Sequence, residues 1–298
     1  MKVFKFGGSS VADVKNINKV IDIILKSHKI SENLVVVVSA LGGVTDDLLS
    51  SVAMASNGDN KYKIHFEKLC DRHNEIIKEL VALEERKRVS KQIGKKYNEL
   101  EELIEKIFFS KKAPLDIRDE IASFGEQLSA YVISEVIKSR GVECDFIDAR
   151  TVIKTDDNFG EGNVDIENSY NLISDCLGGK SKISVVGGFI ASSKNGITTT
   201  LGRGGSDYTA ALIGAALNAS SIEIWTDVDG LMTADPRKEK NATIISEISY
   251  EKAEEMALAG AKVIHPKTMK PARLKNIPIY IKNTFNPKGK GTKISNEK

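Results

Sequence analysis

The chain has 298 residues, which is enough to bury one large hydrophobic core or two closely associated lobes. Its 43 Lys and Arg residues nearly balance 41 Asp and Glu residues, so no strong net charge attracts nucleic acid or an anionic membrane, and we expect neither as a partner. No apolar run approaches the roughly 20 residues of a membrane-spanning helix, and the first residues alternate like a strand rather than a signal peptide.

The cysteines favour a cytoplasmic protein without a metal site. Cys70, Cys144 and Cys176 are odd in number, lie far apart and lack the spacing of metal ligands. We interpret them as reduced thiols that serve packing.

The first predicted strand contains a lysine. Residues 3–6 form a short strand that ends at Gly7 and Gly8, and an amphipathic helix follows from about residue 14. This order places backbone N–H groups at the carboxyl end of a strand, where α/β proteins bind ligands. Lys5 lies within the apolar strand, so its charge needs an anionic partner or must reach solvent.

The second predicted strand leads into a loop of small and hydroxyl residues. Residues 34–38 are continuously apolar, which is typical of a strand covered on both faces. In the loop that follows, residues 39–46, Thr45 and Asp46 can cap the next helix, face a ligand, or do both.

Residues 61–112 differ from their surroundings. Their apolar residues recur every three or four positions, with Lys and Glu in the gaps. This pattern predicts an antiparallel pair of amphipathic helices that projects from the sheet. We assign no chemistry to its charged faces and note that the pair can pack against a second subunit.

A further helix begins near residue 117 and contains Glu126 beside Gly125. Among small residues, the Glu126 carboxylate can accept a hydrogen bond from a ligand ammonium group; the alternative is an ordinary surface glutamate. Two short strands are predicted next, at 146–148 and at 183–186, and the second ends at Gly187, Gly188 and Phe189.

The segment Gly202-Arg203-Gly204-Gly205-Ser206-Asp207 stands before an apolar helix at 210–217. Its glycines free the backbone for a close approach to a ligand, and the planar guanidinium of Arg203 suits a carboxylate or phosphate. The start of a helix also favours an anion. The alternative is a glycine loop capped by Ser206 or Asp207, with no ligand.

The last quarter of the chain contains a second polar loop. A strand at 222–226 is broken by the loop 227–237, whose aspartates, threonine and arginine can hold a ribose, a metal and a phosphate, or form a solvated turn. A helix at 250–258 precedes Lys262, a candidate phosphate contact. After a strand at 277–281, residues 286–298 are polar and are predicted to be a linker or disordered.

Five segments in this order together resemble the aspartokinases of the amino-acid kinase family. They are residues 5–10, 39–46, 124–126, 198–209 and 225–237, within a similarity that covers about residues 2–285. The resemblance implies a three-layer α/β/α fold with a largely parallel central sheet. It also implies an amino-acid-binding lobe at 1–200 and a nucleotide-binding lobe at 201–285.

The implied reaction is transfer of phosphate from ATP, with Mg²⁺, to the side-chain carboxylate of L-aspartate. The product, 4-phospho-L-aspartate, begins the route to lysine, threonine and methionine. We expect a homodimer or a higher homo-oligomer.

The resemblance also implies roles for individual residues. Lys5 and Asp207 would be catalytic, with Lys5 contacting the transferred phosphate and Asp207 holding Lys5 or a metal. The implied substrate contacts are Thr45, Glu126 (to the ammonium), Arg203 (to the α-carboxylate), Gly204, Gly205 and Ser206. The implied nucleotide contacts are Lys5, Phe6, Gly7, Gly8, Thr226, Asp227, Met232, Arg237, Lys262 and Val263. Two positions depart from the family pattern, Ser9 where Thr is usual and Met232 where an aromatic residue, often Tyr, is common.

Two other functions stay open on sequence grounds. The chain can be another phosphotransferase of the family, acting on glutamate, acetylglutamate, carbamate or a nucleotide monophosphate, or a non-catalytic subunit that binds ATP or an amino acid. Aspartokinases commonly continue into small ACT-type regulatory domains, and some into a homoserine dehydrogenase, whereas the similarity here stops near residue 285. We therefore expect millimolar lysine or threonine to leave the activity nearly unchanged.

Overall fold

The structure is a computed structural model. It describes residues 1–30, 33–179, 182–234, 239, 241–260 and 264–296.

Strands and helices alternate along most of the described chain. The strands are β1 Lys2–Phe6, β2 Leu34–Val38, β3 Cys144–Ile147, β4 Lys154–Thr155, β5 Ile183–Gly187, β6 Ile190–Ser193, β7 Thr198–Thr200, β8 Ser221–Thr226, β9 Glu247–Ser249, β10 Ile279–Asn283 and β11 Thr292–Ser295. The helices are α1 Val14–His28, α2 Val44–Ser56, α3 Tyr62–Leu80, α4 Leu83–Ser110, α5 Leu115–Lys138, α6 Ala149–Val152, α7 Ile166–Leu177, α8 Gly205–Ala216, α9 Tyr250–Leu258 and α10 Pro266–Leu274.

The main sheet of the described residues has eight strands in the order β3-β5-β2-β1-β8-β10-β11-β9. Its pairings are parallel except for the antiparallel pair β10 and β11. Strand β1 lies between β2 and β8, so that Lys5 has Val37 on one side and Ile224 on the other. A smaller sheet has three strands in the order β4-β6-β7, with β4 parallel and β7 antiparallel to β6.

Helices cover both faces of the main sheet. Phe4 and Phe6 pack into an apolar cluster with helices α1 to α5, whereas Val3 belongs to a second cluster with α6 to α10. All five residues of β2 are buried, because this strand has a covered face on each side. The predicted three-layer α/β/α fold with a largely parallel sheet is thus confirmed.

Helices α3 and α4 form the antiparallel pair expected in the insertion. The ring of Tyr62, at the start of α3, lies 5.5 Å from that of Phe108, near the end of α4. The two helices pack on α2 and α5 rather than on the sheet. Their buried side, with Leu69 and Leu100 for example, continues the first apolar cluster.

The expectation of an unstructured tail is wrong at residues 292–295. Here β11 lies between β10 and β9 and closes that part of the sheet. Thr292 and Ile294 alternate toward the interior and are fully buried. The Thr292 hydroxyl accepts from the Leu231 N–H at 2.8 Å and donates to the Ile245 carbonyl at 2.6 Å. These two inward side chains and the backbone pairings with β10 and β9 hold the strand in place.

Candidate active site

The carboxyl ends of the central strands open into a cavity of about 340 Å³. At strand β1 the strand order reverses, because β2 and β5 are added on one side of it and β8 and β10 on the other. Such a switch point is the usual position of a ligand site in an open α/β sheet. The cavity is lined by the loops after β1, β2 and β5, by α5, and by the glycine loop before α8.

Lys5 and Asp207 form a close ion pair at the floor of this cavity. Lys5 lies on β1 and Asp207 in the first turn of α8, and Lys5 Nζ is 2.6 Å from Asp207 Oδ1. Both side chains are largely buried, with exposed fractions of 11% and 14%. Lys5 therefore has the anionic partner that its position in an apolar strand requires, and its remaining N–H groups are available to a second anion.

Glu126 is a buried carboxylate with one oxygen left over. Its Oε1 atom accepts a hydrogen bond from the Ala40 N–H at 3.1 Å, and its buried Oε2 atom has no hydrogen-bond partner among the described residues. Burial raises the pKa of Glu126 to about 8, although the Ala40 N–H and the charge of Lys5 oppose that shift. The alternative of a surface glutamate is wrong. A buried oxygen without a partner, facing a cavity, is a binding position for a ligand cation.

The glycine loop brings the start of α8 to the cavity. Gly204 precedes the helix at φ +72°, and a Cβ atom there would lie 2.7 Å from the Cβ of His265. At Gly205, a Cβ atom would lie 2.8 Å from the ring of Phe189. Neither position accepts a side chain without displacement. No side chain caps α8, so the Ser206 or Asp207 cap considered as the alternative is not formed. The Gly205 N–H donates to the Gly202 carbonyl at 3.0 Å, which leaves the N–H groups of Ser206 and Asp207 in the first turn for an anion.

The structure brings eight of the predicted residues together at the cavity wall. They are Lys5, Gly8, Thr45, Glu126, Gly204, Gly205, Ser206 and Asp207. Thr45 lies inside the first turn of α2, which begins after Gly43 at φ +84°. The capping role considered for Thr45 and Asp46 is therefore wrong, and both face the cavity.

The other predicted residues that the structure describes do not line this cavity. Arg203 is exposed, and Phe6 is buried, with its ring stacked 6.0 Å from that of Trp225. The Gly7 N–H donates to the Trp225 carbonyl at 3.1 Å.

Thr226 is the last residue of β8, and Asp227 and Met232 lie in the segment that follows it. The Thr226 hydroxyl donates to Asp227 Oδ1 at 3.2 Å. Met232 forms an isolated antiparallel β-bridge with Ile244. Arg237, Lys262 and Val263 lie outside the described residues.

The sequence did not single out Phe189 as a site residue. Phe189 lines the cavity at φ +67°, an uncommon conformation for an aromatic residue, and its N–H donates to Thr209 Oγ1 at 3.1 Å. Backbone strain of this kind concentrates at functional sites. The sequence feature that could have indicated a site residue was the position of Phe189 directly after a strand and two glycines.

A second residue missed by the sequence is Asp119. This buried carboxylate on α5 accepts from the Gly160 N–H at 2.8 Å, and from the N–H and hydroxyl of Thr200 at 2.8 and 3.0 Å. Thr200 lies two residues before Gly202, so Asp119 connects the start of the glycine loop to the helix that carries Glu126.

No helix in the described residue ranges is long and apolar enough to cross a membrane. No group of three or more His, Cys, Asp and Glu side chains in the same ranges is placed to hold a metal ion.

Comparison with known protein families gives a match along almost the whole chain. Residues 1–283 match the amino acid kinase family.

Curated relatives include aspartokinases of bacteria and plants. The chain is 38% identical to lysine-sensitive aspartokinase 3 of Escherichia coli over 99% of its own length and 64% of that protein. It is 35% identical to bifunctional aspartokinase/homoserine dehydrogenase 2 of Arabidopsis thaliana over 98% of its own length and 32% of that protein. The chain thus spans from about a third to just under two thirds of the length of these relatives.

Solved structures give a similar result. The crystal structure of E. coli aspartokinase III in complex with aspartate and ADP matches the whole chain with a TM-score of 0.91 and 35% identity, over 65% of that protein. UMP kinase from Bacillus anthracis matches with a TM-score of 0.56 and 14% identity, which shows a shared fold.

Proposed function

This chain belongs to the amino acid kinase family, and we propose that it is an aspartate kinase. It transfers the γ-phosphoryl group of MgATP to the side-chain carboxylate of L-aspartate and forms 4-phospho-L-aspartate and ADP. The observation that carries the proposal is the unpaired Oε2 atom of Glu126, buried at the same cavity as the Lys5–Asp207 pair. The likeness to aspartokinases over nearly the full chain supports it.

The cavity offers complementary groups for a small zwitterion that carries a second carboxylate. Glu126 receives the substrate ammonium group, which restores the partner that its Oε2 atom lacks. The free N–H groups at the start of α8, together with Arg203, receive the α-carboxylate. Arg203 is exposed and flanked by Gly202 and Gly204, so its backbone can turn toward the substrate.

The attacking group needs no base. An aspartate side chain has a pKa of about 4 and is already ionised at neutral pH. Its oxygen forms a bond to the γ-phosphorus while the bond from phosphorus to the bridging oxygen breaks, and that electron pair leaves with ADP. The protein has to align two anions and neutralise the charge between them. Lys5 lies at the floor of the cavity, where it can contact the transferred phosphoryl group, and Asp207 fixes the position of its ammonium.

The same residues fit a magnesium ion bound to the nucleotide. Mg²⁺ prefers carboxylate, phosphate and water oxygens and usually enters kinase sites with the substrate phosphates. Asp207 is a carboxylate at the cavity wall with one oxygen against Lys5, and it is the residue that would hold the ion. The metal would supply further positive charge at the phosphates.

The adenosine would lie along the end of β8. Thr226, Asp227 and Met232 are proposed to contact it, and Arg237, Lys262 and Val263 are proposed contacts from outside the described ranges. In this proposal, residues 1–200 form the amino-acid-binding lobe and residues 201–285 the nucleotide-binding lobe, and both contribute strands to one continuous sheet. Lys5 of the first lobe reaches the phosphate and Arg203 of the second reaches the amino acid, so the reaction takes place where the lobes meet.

The test is a coupled assay of ADP release with MgATP and a panel of amino acids and other carboxylates. We expect ADP release with L-aspartate and at least about tenfold less with L-glutamate, since a longer side chain misplaces its carboxylate. Equal rates with both would indicate another member of the family. No release with any acceptor, together with measurable binding of ATP or aspartate by calorimetry, would indicate a regulatory subunit.

We also propose a cytoplasmic homo-oligomer. The three cysteines are free thiols, in keeping with a reducing compartment. Ile64 and Phe109, near the same end of the helical pair, are 62% and 79% exposed, which gives a second copy exposed apolar side chains to cover. Light scattering of the purified chain measures the assembly, and a monomer at micromolar concentration would contradict it.

A further inference from the structure

Arg72, on helix α3 of the insertion, joins two loops that are far apart in the sequence. Its Nη2 group donates to the Ala12 carbonyl at 2.8 Å, and its Nη1 group donates to the Gly42 carbonyl at 2.9 Å. Ala12 lies between β1 and α1, and Gly42 lies between β2 and α2. One guanidinium therefore spans the two turns that follow the two adjacent central strands.

Both of these loops line the candidate active site. Gly8 comes from the first, and residues 39–43 come from the second. Their backbones approach closely, since a Cβ atom on Gly8 would lie 3.1 Å from the Ala40 carbonyl oxygen. A Cβ atom on Gly42 would lie 3.1 Å from the Gly8 carbonyl oxygen. The two loop backbones are thus close enough that a side chain at either glycine would push them apart.

The second loop also positions Glu126. The Ala40 N–H donates to Glu126 Oε1 at 3.1 Å, two residues before the carbonyl that Arg72 holds. A shift of this loop therefore moves the group proposed to bind the substrate ammonium.

Helix α3 makes a second polar contact with the same region. Asp47, in the first turn of α2, is paired with His65 at 2.9 Å and with Lys68 at 3.0 Å. Partial burial opposes ionisation of Asp47, but hydrogen bonds from Lys68 and His65 lower its pKa below the ordinary value. His65, Lys68 and Arg72 are spaced by three and four residues, so they share one face of α3.

We propose that the helical insertion serves the active site through this face, and that Arg72 is a positioning residue that fixes the separation of the two loops. The inference rests on the proposed function for its kinetic consequence, although the contact itself is independent of the reaction. The charged face of α3 is then part of the site's support rather than a merely solvated surface.

Lysine cannot replace Arg72 in this role. The guanidinium has a planar fork that donates in two directions, whereas the lysine ammonium is a compact charge at the end of a flexible stem. Retaining the charge without the fork should therefore leave the loops without their common anchor.

The experiment compares R72A and R72K with the control variant R86A. Arg86, on α4, donates to the Val81 carbonyl at 2.9 Å, so R86A removes an arginine–carbonyl bond from the same insertion without touching either loop. We expect kcat/KM for aspartate to fall by about tenfold to a hundredfold in R72A, as for a small misplacement of reacting groups. We expect R72K to remain at least about threefold below the wild type, and R86A to match it. The melting temperatures of R72A and R86A should agree within about 3 °C.

Amide hydrogen exchange gives a readout that needs no activity. In R72A, but not in R86A, peptides covering residues 7–12 and 39–47 should exchange at least about threefold faster than in the wild type. Unchanged exchange in both peptides would overturn the proposal, as would faster exchange with wild-type kinetics. If the wild type shows no aspartate-dependent ADP release, the proposed function fails, and the exchange comparison still decides the role of Arg72.

Discussion

The charged groups of Lys5, Asp207 and Glu126 at the cavity are largely buried, whereas the aspartates that follow β8, on the proposed nucleotide side, are exposed. Lys5 and Asp207 touch at 2.6 Å, and Glu126 is 3% exposed. By contrast, Asp227 and Asp229 are exposed, and Asp229 accepts from the side-chain amides of half-buried Asn283 and exposed Asn286 at 3.0 and 3.1 Å.

The buried polar groups of the cavity are ordered when the protein folds, whereas the exposed groups after β8 are ordered when a ligand binds. Burying Glu126 with one oxygen unpaired disfavours the folded protein before any ligand arrives, as its raised pKa indicates. Exposed side chains after β8 keep their hydration until a ligand orders them. Substitutions on the buried side should therefore alter chemistry and stability together, whereas those on the exposed side should alter nucleotide affinity alone.

The largest effect is expected from Lys5→Ala. Loss of a preorganised positive group at the transferred phosphoryl should lower kcat by about a hundredfold to a thousandfold, with a smaller change in the KM for aspartate. Lys2→Ala is the matched control, because Lys2 lies on the same strand and pairs with Glu223 at 3.2 Å, away from the cavity. Similar losses in the two variants would show that Lys5 acts through the strand and not through the phosphate.

Glu126→Gln should weaken aspartate binding by about 2 kcal/mol, or roughly thirtyfold in KM, because a charge-assisted hydrogen bond is lost. Only the ionised carboxylate attracts the ammonium, and the pKa of Glu126 is about 8. In the wild type the KM for aspartate should therefore fall as the pH rises from 6.5 to 8.5, and the Gln variant should lose that dependence. A pH profile shared by both proteins would assign it to another group.

The same titration gives a stability measurement on the free protein. Because the pKa of folded Glu126, about 8, lies above its ordinary value of 4.5, the folded state retains a proton that the unfolded state has released. The free energy of unfolding should then decrease as the pH rises between those values, and less so in the Gln variant. Urea unfolding at pH 6 and pH 8 would show it, and equal slopes in both proteins would contradict it.

Asp119→Asn tests whether the glycine loop depends on its buried anchor. The change weakens three hydrogen bonds to a carboxylate, so the free energy of unfolding should decrease by about 1–2 kcal/mol, measured in urea. Asp156→Asn is the control, since Asp156 is exposed but also accepts from the N–H groups of Asn158 and Asn163. An equal loss in both variants would show that burial adds nothing.

The smallest effect is expected from Met232→Tyr. Met232 is only partly buried beside Ile244, and a thioether already packs on flat rings. The KM for ATP should change by less than about threefold, and the KM for aspartate should stay the same. A tenfold change in either KM would contradict the expected difference between the buried and the exposed side of the site.

Patterns of adjacent residues predicted those parts of the structure that depend on the local sequence. The strand that ends at Gly7, the continuous apolar run of β2 and the glycine loop before α8 each followed from a few adjacent residues. Lys5 stood out because a charge within an apolar strand demands a partner.

Long-range contacts were not predictable in this way. Asp119 and Arg72 are of residue types that usually face solvent, and their partners are 81 and 60 residues away along the chain. The prediction for residues 286–298 rested on the polar composition of the whole tail. It therefore missed the alternation that buries Thr292 and Ile294. The proposed residue roles remain predictions until the kinetic variants are measured.

The central position of β1 has a consequence for the order of events during synthesis. Its pairing with β2 needs only the first 38 residues, but its other edge waits for β8, whose residues lie about 219 positions later. A nascent chain that has not yet reached Ser221 therefore presents an unpaired strand edge, a template for unwanted pairing with other chains. Lys5 likewise meets Asp207 only after about 200 further residues have been synthesised. We expect amino-terminal fragments that stop before β8 to require chaperone protection.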